Sequence, residues 1–414
     1  MSVPTFPVLI LDPGNFTPYY DANLCQALAR LGVQVEWITS PYLFEPITPD
    51  PCVCERHIFF TLFDHPRLRP LTGRARSVPR LRRLLKALSY PVEMLNLTRE
   101  LEHRSPGIVH VQWSLIPWFD ALLYRRWRQR GWRVIFTAHD ILPRSPRGWQ
   151  TWLLGWERMQ RRWLYASVDA IIVHSAANRE TVVALGAPAA HVHQVPMGDL
   201  GSFAGRAIPQ KEARAQLGLD PDAPLALFFG LIKPYKGLGV LLRSLPMMMA
   251  RVPKAHLLIA GEPMEPLSPY RRLITNLGLK EHVIMHSRYI PSGLVPTYFC
   301  AADLVVLPYL DISLSAVLVT AYGYARPVVV TAVGGLPELV ENGVTGLVVP
   351  PGDTTALADG LATLLSDRAR CREMGERARR LAEERHAWPL IGRQTLALYE
   401  NIRNGHGGTI RESR

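Results

Sequence analysis

Short β-branched apolar runs alternate with amphipathic helical segments along the whole of this 414-residue chain. No other feature constrains the fold as much. "VLIL" (Val8–Leu11) stops at Asp12-Pro13-Gly14-Asn15, and a helix follows with Leu24, Ala27, Leu28 and Leu31 on one face, closed by Gly32. "VQVEWI" comes next, then "GIVHVQW" (Gly107–Trp113), "RVIFTAHD" (Arg133–Asp140) and "DAIIVHS" (Asp169–Ser175). Apolar strands of this length, separated by helices, bury both faces in a parallel sheet. The expected class is α/β and doubly wound.

The pattern breaks once. "VPMGDLGSFAGRAIPQKEARAQLGLDPDAP" (Val195–Pro224) is rich in Gly, Pro and charge, with a short helix expected around Lys211–Leu217. A second set of strands follows: "LALFFGLI", "AHLLIAG", "HVIMHSRYI", "DLVVLPY", "RPVVVTAV" and "TGLVVPP", the last ending at Pro351. The expected organisation is a domain over 1–198, a connection over 199–224, a second domain over 225–385, and a segment over 386–414 whose helix returns to the first domain. Two such domains facing a central cleft would suit a bipartite ligand, since ligands bind at the carboxyl ends of the strands.

The apolar stretch "DISLSAVLVTAYGYARPVVVTAVGG" (Asp311–Gly335) is interrupted by Arg326-Pro327, and nowhere does a charge-free apolar run reach the roughly 18 residues that argue for a membrane helix. Five cysteines without metal-site spacing suggest a reducing compartment, so a cytoplasmic location is expected. The N-terminus lacks the basic and apolar regions of a signal peptide. The net charge of +12 implies an acidic partner. Arg67–Lys86 carries eight basic residues and no acid, and nine of ten tryptophans lie at or before Trp163, several beside arginines as in Tyr124–Arg133 and Trp149–Trp163. Two readings stand open: solvated helix faces with Trp in the core, or a surface that meets an anionic membrane. Nucleic acid is not expected as a partner, because no recognition motif accompanies the charge.

"FFGLIKPYKGLGVLL" (Phe228–Leu242) carries the chemistry. A strand runs into Gly230, a loop holds Lys233 and Lys236, and Gly237 opens a helix. Glycine permits close backbone approach, the lysines bring charge, and the helix N-terminus offers amides. Together they suit a diphosphate, although neither GxxxxGK[ST] nor GxGxxG is present.

This loop, with "DLVVLPY", "RPVVVTAVGGLPELVENGVTGLVVPPGD" and "VPMGDL", resembles the retaining nucleotide-sugar glycosyltransferases of family 4, whose fold is GT-B. The resemblance covers nearly the whole chain and is strongest over Val195–Arg385. It implies that Gly230, Lys233 and Lys236 hold the donor diphosphate, with Lys236-Gly237 in register and Leu231 where the family has arginine. It places Arg288, Tyr289 and Ile290 at the nucleobase, Gly14 and Asn15 near the diphosphate, and His139 near the transferred sugar. His110 and Gln112 end a neighbouring strand, and His174 reads as structural. The family's Glu-x7-Glu pair is absent: its positions fall at Ile312 and Thr320. Asp311, Ser313, Ser315 and Thr320 are the expected substitutes, with Glu338 a further donor contact.

The resemblance implies transfer of a sugar from a nucleotide-diphosphate donor to a glycan or lipid-linked acceptor, with retention. His139, Lys236 and Asp311 are the expected catalytic residues. No cofactor and no catalytic metal are expected, and "DPD" (Asp220–Asp222) reads as a turn. A location on the inner membrane face fits such an acceptor. The alternative is a GT-B scaffold impaired in catalysis that serves as a binding subunit.

Overall fold

The computed structural model describes residues 6–42, 44–47, 50–61, 79–141, 151–199 and 205–405. The chain forms two units. Unit 1 comprises Met1–Val195 with Trp388–Arg414, and unit 2 comprises Pro196–Ala387.

Unit 1 is built on seven parallel strands: β1 (Val8–Asp12), β2 (Val35–Thr39), β3 (Cys54–His57), β4 (Ile108–Val111), β5 (Arg133–Thr137), β6 (Ala170–Val173) and β7 (Val192–Gln194). Their order is β3-β2-β1-β4-β5-β6-β7. The sequence reading finds five of these. It misses β3 and β7 because neither is an apolar run. β3 reads CERH and is held at the edge by pairing with β2 and by Arg56, which bonds Glu36 and Glu100. β7 is three residues long and pairs with β6.

Alternate residues of these strands enter opposite layers. Leu9, Leu11, Val109, Val111, Val134 and Phe136 pack with Tyr90, Leu97, Trp127 and Trp132. Those last four come from, or from beside, the helices Pro79–Glu102 and Pro117–Gln129. The helices Pro18–Ala29 and Trp388–Arg403 pack on each other, and a side chain at Gly392 would meet Ala27 at 2.9 Å.

Unit 2 has six parallel strands: β8 (Leu225–Phe229), β9 (His256–Ala260), β10 (Val283–His286), β11 (Leu304–Leu307), β12 (Val328–Thr331) and β13 (Gly346–Val349). Their order is β10-β9-β8-β11-β12-β13. One face packs on the helices Leu238–Arg251 and Thr354–Ser366. The other packs on Val295–Ala301, Ala316–Gly323 and Arg368–Arg385. All six strands match the apolar runs seen in sequence.

The charged segment before β8 is an integral part of unit 2. The helix Gln210–Gln216 buries Arg214, which pairs with Asp303 at 2.9 Å and donates to the carbonyls of Ala301 and Pro221. Asp220 Oδ1 accepts from the amides of Asp222 and Ala223, so Asp220–Asp222 is a turn. No helix among the described residues is long and apolar enough to cross a membrane.

Both sheets reverse direction once. In unit 1 the switch lies between β1 and β4, and in unit 2 between β8 and β11. In folds of this kind ligands bind at the carboxyl edge beside such a switch.

Candidate active site

In unit 2 the loop after β8 and the loop after β11 form the switch crevice. Gly230 continues the ladder through its amide to Ala260 O at 2.9 Å, then turns with φ of 101°. A side chain at Gly230 would lie 3.0 Å from Lys236 Nζ, so its absence gives Lys236 room to fold back. Pro234–Lys236 forms one 3-10 turn ending at Gly237, whose φ is 70°. A Cβ at Gly237 would stand 1.8 Å from Pro308 O. Glycine is required there by conformation and by space alike.

The β11 loop locks onto this turn. Leu310 N donates to Tyr235 O at 2.7 Å, and Lys236 Nζ lies 5.2 Å from the centre of the Tyr309 ring. Lys236 is buried, while Lys233 is half-buried with Nζ 6.0 Å from the Tyr235 ring. A cation against an aromatic face keeps its charge in a place of reduced solvation. The helix Leu238–Arg251 begins at Gly237 and directs its first amides toward the same edge.

The stretch that replaces the glutamate pair belongs to the same crevice. Ser315 is the N-cap of Ala316–Gly323, is buried, and lies 3.4 Å from Tyr309 Oη. Gly335 N donates to Ser313 O at 2.9 Å, which brings the loop after β12 back to the β11 loop and places Glu338 on an adjoining short helix. Asp311 and Glu338 are exposed, Ser313 is half-buried, and Thr320 is buried within its helix. Arg288, Tyr289 and Ile290 follow the edge strand β10, two strands from β8; Arg288 is exposed and Ile290 buried. Leu231, in the family's arginine position, is 39% exposed.

Unit 1 builds its switch point differently. Asp12 ends β1 fully buried, and its carboxylate accepts from the amides of Gly14 (3.1 Å), Phe16 (2.7 Å) and Thr17 (3.2 Å). Asn15 sits in this loop at φ of 50°, buried, and donates to Ser40 O at 2.6 Å. Asp21 is buried beside Asp12. Burial, and then the neighbouring Asp12 charge, raise its carboxyl well above the ordinary range. Across the switch, His139 after β5 bonds Gln112 Oε1 at 2.9 Å and stacks on Trp113. Burial, and then the nearby His174 and His110, hold His139 well below its ordinary value, so its ring is neutral near pH 7.

Five of the expected donor residues thus gather in the unit 2 crevice: Gly230, Lys233, Lys236, Ser313 and Ser315. Gly14, Asn15 and His139 lie at the unit 1 switch. Tyr309, Asp12, Trp113 and Tyr20 are absent from the sequence-based set. Tyr309 ends "DLVVLPY" one strand from Lys236, and topology alone could have found it. Asp12 was visible only as the stop of a strand. The basic segment Arg67–Lys86 lies outside the described residues over 67–78. At its other end Lys86 places Nζ 4.5 Å over the Phe60 ring. The interfacial reading of Tyr124–Arg133 is corrected: Trp127 and Trp132 are core residues, bonded to Thr98 Oγ1 and Leu101 O. In Trp149–Trp163, by contrast, Trp156 and Trp163 are exposed and pair edge-on.

Residues 209–381 match the glycosyl transferases group 1 family, and residues 19–198 match the glycosyl transferase 4-like domain. A GDP-mannose-dependent alpha-(1-6)-phosphatidylinositol monomannoside mannosyltransferase of Mycolicibacterium smegmatis is 30% identical over 307 residues, 69% of this chain and 76% of that protein. A D-inositol 3-phosphate glycosyltransferase of Nocardia farcinica is 36% identical over 223 residues, 52% of this chain and 49% of that protein. The chain thus spans about half the length of the first curated relatives it matches. The solved sucrose-phosphate synthase of Thermosynechococcus elongatus superposes with a TM-score of 0.74 at 22% identity, covering 97% of this chain and 100% of that one. Its likeness bears on the fold, which is GT-B. The chain belongs to the group 1, family 4-like glycosyl transferases.

Proposed function

We propose that this chain transfers a sugar from a nucleoside-diphosphate donor to a glycan or lipid-linked acceptor, with retention and without a metal ion. One observation carries the reading: Lys236, buried over Tyr309, converges with the N-terminus of Leu238–Arg251 at the unit 2 switch point. A fixed cation and oriented amides are what a leaving diphosphate needs as its charge develops. Lys233, Gly230, Ser313 and Ser315 complete the phosphate side. Arg288, Tyr289, Ile290, Thr320 and Glu338 serve the nucleoside, and His139 serves the sugar, while Gly14 and Asn15 spend their donors on Asp12 and Ser40. Asp311, at the lip of the crevice, stands in for the first missing glutamate. In the retaining step the bond from the anomeric carbon to the phosphate oxygen breaks as the acceptor oxygen bonds the same face. The acceptor's proton passes to the departing phosphate.

The lipid-linked half of the proposal has its own support. The helices Pro79–Glu102, Pro117–Gln129 and Thr151–Ala166 pack side by side and expose Leu88, Val92, Trp118, Leu122, Trp156 and Trp163. A groove of about 450 Å³ between this last helix and Ala176–Ala184 is lined by Arg158, Met159, Arg162 and Thr181. Aromatic rings among arginines suit the headgroup zone of an anionic membrane at the cytoplasmic face.

A thermal-shift panel of UDP, GDP, ADP and their sugars tests the donor. One base at 100 times its dissociation constant should stabilise the chain by about 2.7 kcal/mol. Incubation of that donor with lipid-linked and glycan acceptors, with and without EDTA, should yield a product whose anomeric proton coupling matches the donor's. Binding without transfer sinks the enzymatic reading. Flotation with anionic and neutral liposomes tests the surface, and equal recovery sinks it.

A further inference from the structure

A chain of polar side chains crosses unit 1 beneath its switch point. Tyr399 Oη lies 2.6 Å from His110 Nδ1, and His110 Nε2 lies 2.6 Å from Thr137 Oγ1 and 3.3 Å from Gln112 Nε2. Gln112 Oε1 lies 2.9 Å from His139 Nε2. His110, Gln112, Thr137 and Tyr399 are fully buried, and the backbone N–H of Gln112 donates to Leu11 O at 2.8 Å.

The orientation of the Gln112 amide sets the protons along this chain. Gln112 Nε2 can only donate, so His110 Nε2 accepts, and the His110 proton sits on Nδ1 toward Tyr399. Gln112 Oε1 can only accept, so His139 Nε2 carries a proton. A neutral imidazole carries one N–H, which leaves His139 Nδ1 a lone pair. That Nδ1 has no hydrogen-bond partner among the described residues. The ring is also held in place: Trp113 stacks at 5.4 Å, Tyr20 meets it edge-on at 4.9 Å, and His174 lies at 5.3 Å. A lone-pair nitrogen accepts from an O–H, which a sugar hydroxyl has and an ionised phosphate lacks.

The geometry points to Gln112 as a positioning residue that holds His139 as the Nε2–H tautomer and turns its Nδ1 lone pair toward a hydroxyl of the sugar ligand. The ligand in this inference rests on the proposed transfer reaction. The tautomer does not. The C-terminal helix reaches the same histidine through Tyr399 and His110, so it contributes to the proton arrangement without touching the ligand.

Long-range proton–nitrogen NMR on histidine-labelled protein reads the tautomer with no substrate present. The expected wild-type spectrum has His139 unprotonated at Nδ1 and protonated at Nε2 throughout the neutral range. A proton on Nδ1 would mean the opposite amide orientation and would overturn the inference. Gln112→Met keeps the side-chain length and removes both polar ends. It should move the His139 nitrogens toward an averaged, mixed tautomer and lower kcat about tenfold, the size of one hydrogen bond. Nucleoside-diphosphate affinity by calorimetry should stay unchanged, because Gln112 is in unit 1. Gln112→Glu should raise the pKa of His139 by pairing with its imidazolium and give kcat a new dependence on pH near neutrality. Unchanged tautomer and unchanged kcat in Gln112→Met overturn the inference. If wild type transfers no sugar from any donor, the proposed function falls instead, and the spectrum still decides the tautomer.

Discussion

The switch point of unit 2 gathers positive charge, whereas that of unit 1 is lined by neutral rings and a buried carboxylate. In unit 2, Lys236 is pressed against Tyr309, and the helix amides after Gly237 are left for a ligand. In unit 1 the corresponding amides are already taken, because Asp12 accepts from Gly14, Phe16 and Thr17. The same topology therefore yields the proposed anion site in one unit and, in the other, a self-satisfied loop with a histidine held neutral beside it. A switch point provides the place, and the residue ending the first strand, Phe229-Gly230 against Asp12, decides what the amides there can bind.

The sharpest way to break this contrast is Lys236→Ala. Removing the cation should lower transfer by roughly 10²–10³-fold, as loss of one preorganised stabilising group does. It should also weaken nucleoside-diphosphate binding in calorimetry. A decline below about tenfold would mean that the helix amides carry the phosphate alone.

A smaller effect is expected at the buried acid of unit 1. The Asp21 carboxyl is raised by burial and by Asp12, so the folded chain keeps a proton there that the unfolded chain releases above 3.8. That stabilisation is complete below 3.8 and is lost as pH rises through the raised value. Asp21→Asn removes the titration while its amide can still donate to Asp12. Its melting temperature relative to wild type should therefore climb with pH by several degrees from acid to neutral conditions. A gap that stays constant with pH would show that the two carboxyls do not share this burden.

The least effect is expected at the lip of the unit 2 crevice. Asp311 is exposed, so Asp311→Ala should change donor affinity by less than about threefold, whereas buried Ser315→Ala should cost about threefold to tenfold. If neither moves affinity or rate, these residues do not replace the missing glutamates.

Much of the architecture was legible because a parallel strand buried on both faces must be an apolar run. The interior strands of both sheets announce themselves for that reason, and β3 does not, since a polar edge strand is held by its neighbours and by Arg56. The phosphate loop was legible because glycine and lysine at fixed spacing have few other uses. Tyr309, Asp12 and Gln112 were harder to read. Tyr309 and Gln112 act through partners distant in sequence, Lys236 at 73 residues and His139 at 27, and Asp12 acts through backbone amides two to five residues on, which no side-chain motif marks. For Trp127 and Trp132 two readings stood open, core or interface, because arginine neighbours say nothing about which way an indole turns.

Unit 2 is an insertion: the chain leaves unit 1 after Val195 and re-enters it at Trp388. A ribosome therefore completes unit 2 while unit 1 still lacks the helix that covers Pro18–Ala29 and brings Tyr399 to His110. During synthesis the nascent first unit carries an uncovered apolar face for the time needed to translate 192 residues, and domains left open in this way are prone to aggregate. A chain stopped at Ala387 would retain the whole of unit 2 attached to an unfinished partner. Nonsense mutations late in the gene should thus act as losses of solubility first and of chemistry second.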